Sequence, residues 1–537
     1  MSYLTSRDTT PAAESRPVGK PGRGKGILTK TRRFGRTDQT TSTADAKTPA
    51  VRPMRPAMRG WLGRGRGEAF YVQAPSEYRG TTVQVCGLWP FSAGSGTPMI
   101  GVPLGRHLHT QATVCCDPIS WFQRAKLISN PSAFILGKPG LGKSTVVRRM
   151  VTGLSGYGVV PLVLGDLKPD YVDLVEALGG QVIKLGRGRG YLNVLDPGEA
   201  TAAAERLAGA ARDEVLADSH GRRLTMVSAL LTIVRKQPPS DREEAILDRA
   251  LRVLDRVHDG IPVLGDLLQI IQEGHAEVRT VALDRGNDDR YKAITENLEA
   301  SLIGLVEGGQ LGDIFSRQTT VTMKRDRPVV FDVSSIPDSE PDLQAAVLLA
   351  CWSAGFGSIN VANALADAGL EPRRHYFVVM DELWRALRAG HGMVDRVDAL
   401  TRLNRQRGVG MAMVSHTMSD LLALPSEADK MKARGFVERS GMVICGGLPG
   451  AEMPMLTQAL PFSREEQALM TGWQDPPAWD PESNEELPPP GRGKFLIKVG
   501  GRPGIPLEIV LTEAERSIHD TNKLWKEQSR IGIREAS

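Results

Sequence analysis

The chain is short of cysteine and short of aromatic residues. Its five cysteines are Cys86, Cys115, Cys116, Cys351 and Cys445, an odd number with no CxxC pair among them. Such usage predicts neither a disulfide framework nor a zinc site, and it suits a reducing compartment. Aromatic residues make up 5% of the 537 positions against 41% apolar residues overall, so the core must be built from Val, Leu, Ile and Ala. That composition suits helices packed on a parallel sheet better than a β-sandwich. The N-terminus is basic but lacks an apolar segment, which excludes a signal peptide. The uncharged stretch Leu343 to Ala366 is long enough to cross a bilayer. It holds Gln344, Ser353, Ser358, Asn360, Asn363 and two glycines, and so reads as a buried helix plus loop.

Charge is unevenly placed. The first 66 residues carry 15 of the 67 Lys and Arg but 4 of the 62 Asp and Glu, which leaves the remainder at about −6. Lys20, Arg23, Lys25, Lys30, Arg32, Arg33 and Arg36 lie among Gly, Pro and Thr without apolar periodicity. A disordered basic tail is expected over 1–66, able to meet DNA or an anionic membrane surface by charge alone. A small β-rich segment, with runs such as Thr81 to Val85, is expected over 67–130.

From Ala133 the pattern changes. Continuous apolar runs recur at 133–136, 159–164, 182–185, 329–333, 376–380, 410–414 and 442–445. Runs of this kind mark strands covered on both faces, and helical segments separate several of them. The fold class is therefore α/β, a doubly wound and mostly parallel sheet. No strand signal appears over 199–316, where segments such as 202–216 and 242–257 have helical spacing; an all-α insertion is expected there. The sheet domain then comprises 131–198 and 317–537, with a closing hairpin at 495–499 and 509–511 and a final charged helix.

Residues Gly137, Lys138, Pro139, Gly140, Leu141, Gly142, Lys143 and Ser144, followed by Thr145, fit G-x-x-x-x-G-K-[ST] between a strand and a helix. Glycines let backbone N–H groups turn toward phosphate oxygens, and the helix aims its positive end at the same anion. Lys143 would reach the β- and γ-phosphates of ATP, and Ser144 would offer its hydroxyl to Mg²⁺. The strand Tyr376 to Met380 ends in Asp381 and Glu382. Asp381 suits the Mg²⁺ shell and Glu382 the polarisation of an attacking water, if adjacent parallel strands deliver both beside the γ-phosphate. A third strand ends in Ser415 and His416, candidates for sensing that phosphate. Asp166-Leu-Lys168 ends the strand after the phosphate-loop helix; it could approach the rim of the site, but taken alone it reads better as a surface turn.

Several segments are similar to those of a known family. They are GTPMIGVPLGRHLHTQATVCCDP at 96–118, GDLKPDYVDLVEALGGQVIKLGRGRGYLNVLDP at 165–197, GGQLGDIF at 308–315, VVMDELWRAL at 378–387 and HDTNKLW at 519–525. In order and spacing they resemble the conjugation and type IV secretion ATPases (the TraC/TraE/CagE-like group) within the FtsK–HerA class, and the basic tail and Gly, Ala and Arg usage resemble actinobacterial members. The resemblance implies a RecA-like motor, Mg²⁺-dependent ATP hydrolysis, a hexamer, and docking of a cytoplasmic protein on envelope transport machinery at the inner face of the membrane. It also implies an arginine acting in trans, for which Arg405, Arg407, Arg434 and Arg439 are candidates. The family often has Gln where His416 stands. A DNA-pumping translocase, and a scaffold that binds nucleotide without turnover, are the alternatives; an intact Lys143, Asp381 and Glu382 speak against the scaffold.

Overall fold

The computed structural model describes residues 99–307, 311–388, 392–401, 407–477, 479–480, 485–486 and 488–518. The expectations for the tail 1–66, for Thr81 to Val85, for Arg405 and for the segment 519–525 lie outside the described residues.

Thirteen strands are described: β1 (Pro103–His107), β2 (Thr113–Cys115), β3 (Ser132–Leu136), β4 (Val160–Asp166), β5 (Gln181–Lys184), β6 (Val329–Asp332), β7 (Tyr376–Met380), β8 (Val409–Val414), β9 (Met442–Cys445), β10 (Trp479–Asp480), β11 (Glu485–Glu486), β12 (Lys494–Lys498) and β13 (Ile505–Ile509). All but the small ribbon β10–β11 belong to one eleven-stranded sheet, in the order β2-β1-β13-β12-β9-β3-β8-β7-β4-β6-β5. Strands β9, β3, β8, β7, β4, β6 and β5 are parallel neighbours. The edge made by β12, β13, β1 and β2 is antiparallel.

The apolar runs are buried because the sheet is covered on both faces, and successive side chains serve opposite cores. Phe134 and Leu136 of β3, Val378 and Met380 of β7, and Met411 and Met413 of β8 enter one core. Ala133 and Ile135, Phe377 and Val379, and Ala412 and Val414 enter the other. Each fully buried Val, Leu, Ile, Phe or Met side chain contributes about 1.5–3 kcal/mol, so neither face tolerates a shift of register.

The second core is closed by α1 (Lys143–Gly156), which buries Val146, Val147, Met150, Val151 and Leu154 against the sheet. The first is closed by two long helices, α2 (Gly209–Arg235) and α3 (Pro341–Asp367). Helix α3 differs from the helix plus loop expected there: it runs unbroken through Gly355 and Gly357. The missing side chains serve contact, since a Cβ at Gly355 would fall 2.5 Å from both Leu164 methyl carbons. Among the described residues it is the one helix long and apolar enough to cross a membrane, and 83% of its most apolar window is buried inside the molecule.

Between β5 and β6 the described residues form helices and connecting loops without a named strand. The run 202–216 is two helices rather than one, because Leu207 is extended (φ −96°, ψ 159°) and ends the helix Ala200–Arg206 before α2 begins. The second strand of the closing hairpin lies earlier than expected, over Ile505–Ile509 rather than 509–511, in register with β1, where Gly105 faces Ile509.

Candidate active site

Four parallel strands, β3, β8, β7 and β4, lie side by side and end at one cleft. The strand carrying the phosphate-loop sequence and the strand carrying the acid pair are not neighbours, contrary to the expectation of adjacency. Strand β8 lies between them, which puts His416 in the middle of the site.

The loop after β3 turns through Gly140 (φ +81°) and Gly142 (φ +98°), backbone that favours glycine. Later segments brace it. Gly137 N donates to the His416 carbonyl (2.9 Å), Lys138 N to the Gly447 carbonyl (3.0 Å), and Gly493 N to the Leu141 carbonyl (3.0 Å). Lys143, the first residue of α1, is buried, and its Nζ donates to the Gly137 carbonyl (2.7 Å). Burial lowers its pKa to about 8, with Asp381 and Glu382 pulling the other way. Ser144 Oγ donates to Asp170 Oδ2 (2.8 Å).

Asp381 and Glu382 follow β7. The Asp381 carboxyl is pushed up to about 6, chiefly by burial and then by the Glu382 charge beside it; the Tyr171 hydroxyl donates to it (3.2 Å). Glu382 has φ +51°, an uncommon conformation for a non-glycine residue and a form of strain that clusters at functional sites. Its buried carboxylate meets three cationic or N–H partners. Trp384 Nε1 donates to Oε2 (2.6 Å), Lys168 Nζ pairs with Oε1 (3.2 Å), and His416 Nε2 lies 3.3 Å from Oε2. Burial raises the Glu382 pKa, but His416, Lys168 and Trp384 outweigh it, and the net shift is downward. Burial in turn lowers the His416 pKa against the pull of Glu382. Neither Ser415 Oγ nor His416 Nδ1 has a hydrogen-bond partner among the described residues.

The turn Asp166-Leu-Lys168 is not the surface turn its sequence suggests. Asp166 is buried and accepts from Tyr171 N (2.8 Å) and Asp170 N (3.2 Å), while Lys168 reaches Glu382. Asp170, Tyr171 and Arg492 line or border the cleft without any motif to announce them. Asp170 and Tyr171 lie four and five residues past the end of β4, and the turn through Lys168 carries them into the site.

The cleft encloses about 220 Å³. Its acids are Asp166, Asp170, Asp381 and Glu382, and its cations Lys143, Lys168 and Arg492. Among the described residues no cluster of three or more His, Cys, Asp or Glu could hold a metal by itself. Mg²⁺ does not need one, since it keeps waters and takes one or two protein oxygens together with substrate phosphates. Ser144 Oγ and the half-buried Asp381 carboxylate, both lining the cleft, fit that requirement.

Of the candidate trans arginines that are described, Arg434 pairs with Glu438 and Arg439 with the buried Asp398 of its own chain, while the Arg407 carbonyl accepts from Asn363.

The doubly wound sheet, the phosphate-loop turn after β3 and the acid pair after β7 define a RecA-like P-loop α/β fold. The chain is similar to the structure of VirB4 of Thermoanaerobacter pseudethanolicus, with a TM-score of 0.59 and 17% identity over 79% of this chain and 100% of that one. It also matches the plasmid coupling protein TrwB in complex with ADP and Mg²⁺, with a TM-score of 0.45 and 11% identity over 79% of this chain and 97% of that one. No family model matches the sequence, and no curated protein matches it.

Proposed function

We propose that this protein is a Mg²⁺-dependent ATPase, converting ATP and water to ADP and phosphate, and that it serves as a cytoplasmic motor for conjugative transfer or type IV secretion. The convergence of Lys143, Ser144, Asp381 and Glu382 on one cleft carries this reading. In it the loop Gly137–Thr145 holds the phosphates and Lys143 exchanges the Gly137 carbonyl for phosphate oxygens. Bound Mg²⁺, held by Ser144 and Asp381, would neutralise charge developing on the phosphates. Glu382 accepts the proton of the attacking water, and His416 and Trp384 fix the orientation of its carboxylate. The transport role rests on the fold shared with VirB4 and on the sequence resemblance above. A hexameric ring at the inner face of the membrane, with one of the arginines acting in trans, belongs to the same reading.

Lys143→Ala should lose most turnover. Glu382→Gln should bind ATP as the parent does and hydrolyse it about 10²–10³ times more slowly, the scale on which removal of one transition-state group is felt. Parent-like turnover by Glu382→Gln would remove that residue from the chemistry. Turnover that depends strictly on added DNA would favour a DNA pump over a secretion motor.

A further inference from the structure

The C-terminal hairpin enters the cleft. Ahead of β12 the chain reads Pro488-Pro-Pro-Gly-Arg-Gly-Lys494. Arg492 N donates to the Pro489 carbonyl (2.9 Å) and Lys494 N to the Gly491 carbonyl (3.0 Å), which closes a compact turn. Both glycines are required there. A Cβ at Gly491 would fall 2.0 Å from the Trp473 carbonyl oxygen, and Gly493 has φ +75°. Between them stands one side chain, that of Arg492, and it lines the nucleotide cleft.

The turn is fastened to the phosphate loop itself. Gly493 N donates to the Leu141 carbonyl, and the same amide nitrogen lies 3.7 Å from where a Gly142 Cβ would sit, a position shared with Thr145 Oγ1 at 3.6 Å. Arg492 therefore approaches the loop beside Gly142 and Thr145, while the acids meet it through Ser144 and Lys143. The other two cations of the cleft are engaged, Lys168 with Glu382 and Lys143 with the Gly137 carbonyl. Arg492 forms no ion pair with a described residue, and its side chain is exposed to the cleft.

We infer that Arg492 is a nucleotide-binding residue that contacts the α/β-phosphates, the part common to ATP and ADP. This rests on the ATPase reading above. A guanidinium presents a rigid fork of donors suited to phosphate oxygens, and such charge-assisted bonds are about twice as strong as neutral ones. The hairpin thereby becomes part of the nucleotide site, and binding of either nucleotide tightens its hold on the phosphate loop.

The test is titration of the full chain with fluorescently labelled ADP and ATP, each with Mg²⁺, for the parent, Arg492→Ala and Arg492→Lys. Arg492→Ala should weaken both nucleotides by about tenfold, and Arg492→Lys should recover part of the loss, since it keeps the charge but not the fork. The exposed position should leave the thermal transition of the nucleotide-free variants unchanged. Equal affinity of Arg492→Ala and the parent overturns the inference, and so does a loss confined to ATP, which would move the contact to the γ-phosphate. Failure of the parent to bind either nucleotide would instead sink the ATPase reading.

Discussion

Asp381 and Lys143 are both held away from their ordinary protonation ranges, and in opposite directions. In the ATPase reading proposed above, Asp381 would be ionised to meet Mg²⁺, and its pKa is pushed up to about 6. Lys143 would be protonated to meet phosphate, and its pKa is lowered to about 8. In the free enzyme the competent form therefore lies between these values. The profile of kcat/KM for Mg-ATP should rise through about 6 and fall through about 8; a flat profile from pH 5 to 9 would contradict it. The same shifts govern stability without nucleotide. The folded protein holds its Asp381 proton from the ordinary carboxylate range of about 4 up to about 6, so stability falls as pH rises through that window. The unfolded chain holds its Lys143 proton more tightly between about 8 and 10.5, so stability rises across that one. The empty site is thus least stable where it works best. Asp381→Asn should raise the nucleotide-free melting temperature at pH 7.5 by the equivalent of ~2 kcal/mol while abolishing turnover. A lowered melting temperature would show that the carboxylate stabilises the empty site instead.

At the level of elements, the antiparallel edge is secured by a buried ion pair. Lys498 of β12 donates to both carboxylate oxygens of Glu466 (2.8 and 2.9 Å), which also accept from Ser463 N and Gly504 N. Lys498 is 3% exposed and Glu466 8%. Removing one partner leaves a buried charge alone, which costs about 3–5 kcal/mol. Lys498→Met should destabilise by that amount in denaturant unfolding, and adding Glu466→Gln should restore part of it; strictly additive losses would rule out the coupling. Burial raises the Glu466 pKa, yet Lys498 and the amide donors leave it net lowered, so this contribution fades as pH falls through the carboxylate range. Elements of this edge were the least legible in the sequence. The central strands were visible because double coverage leaves uninterrupted apolar runs such as Ala133 to Leu136 and Tyr376 to Met380. Strand β13 reads Ile-Pro-Leu-Glu-Ile, and the proline and glutamate hide a strand whose outer residues are only partly covered. The site was half legible for a similar reason. Lys143, Ser144, Asp381 and Glu382 stand in spacings that chemistry dictates. Tyr171, Lys168 and Arg492 are brought in by strand order and by a turn, which no local pattern encodes.

Considered as a whole molecule, the chain offers its candidate trans arginines on terms that differ. Arg439, though itself exposed, is already engaged with the buried Asp398 and stacks over Phe436, whereas Arg434 and its partner Glu438 form a pair that is open to solvent on both sides. Releasing such a solvent-facing pair costs little, so Arg434 is the easier of the two to donate to a neighbour. If a ring forms and completes each site from the adjacent subunit, ATP turnover per chain should rise with protein concentration from nanomolar to micromolar, in step with assembly seen by sizing. Constant turnover from a monomer over that range would exclude a shared site.

The order of the strands also sets a schedule for synthesis. Strand β3 and its phosphate loop are complete by residue 145, but their sheet neighbours β8 and β9 end at residues 414 and 445, and the tether at Gly493 comes later still. At ~5–20 residues per second the ribosome needs on the order of tens of seconds to bridge that gap. Throughout it, Phe134, Ile135 and Leu136 have no strand partner, and the nascent chain carries an unpaired apolar segment of the kind that chaperones bind. The sheet order therefore has this loop made long before the segments that enclose it.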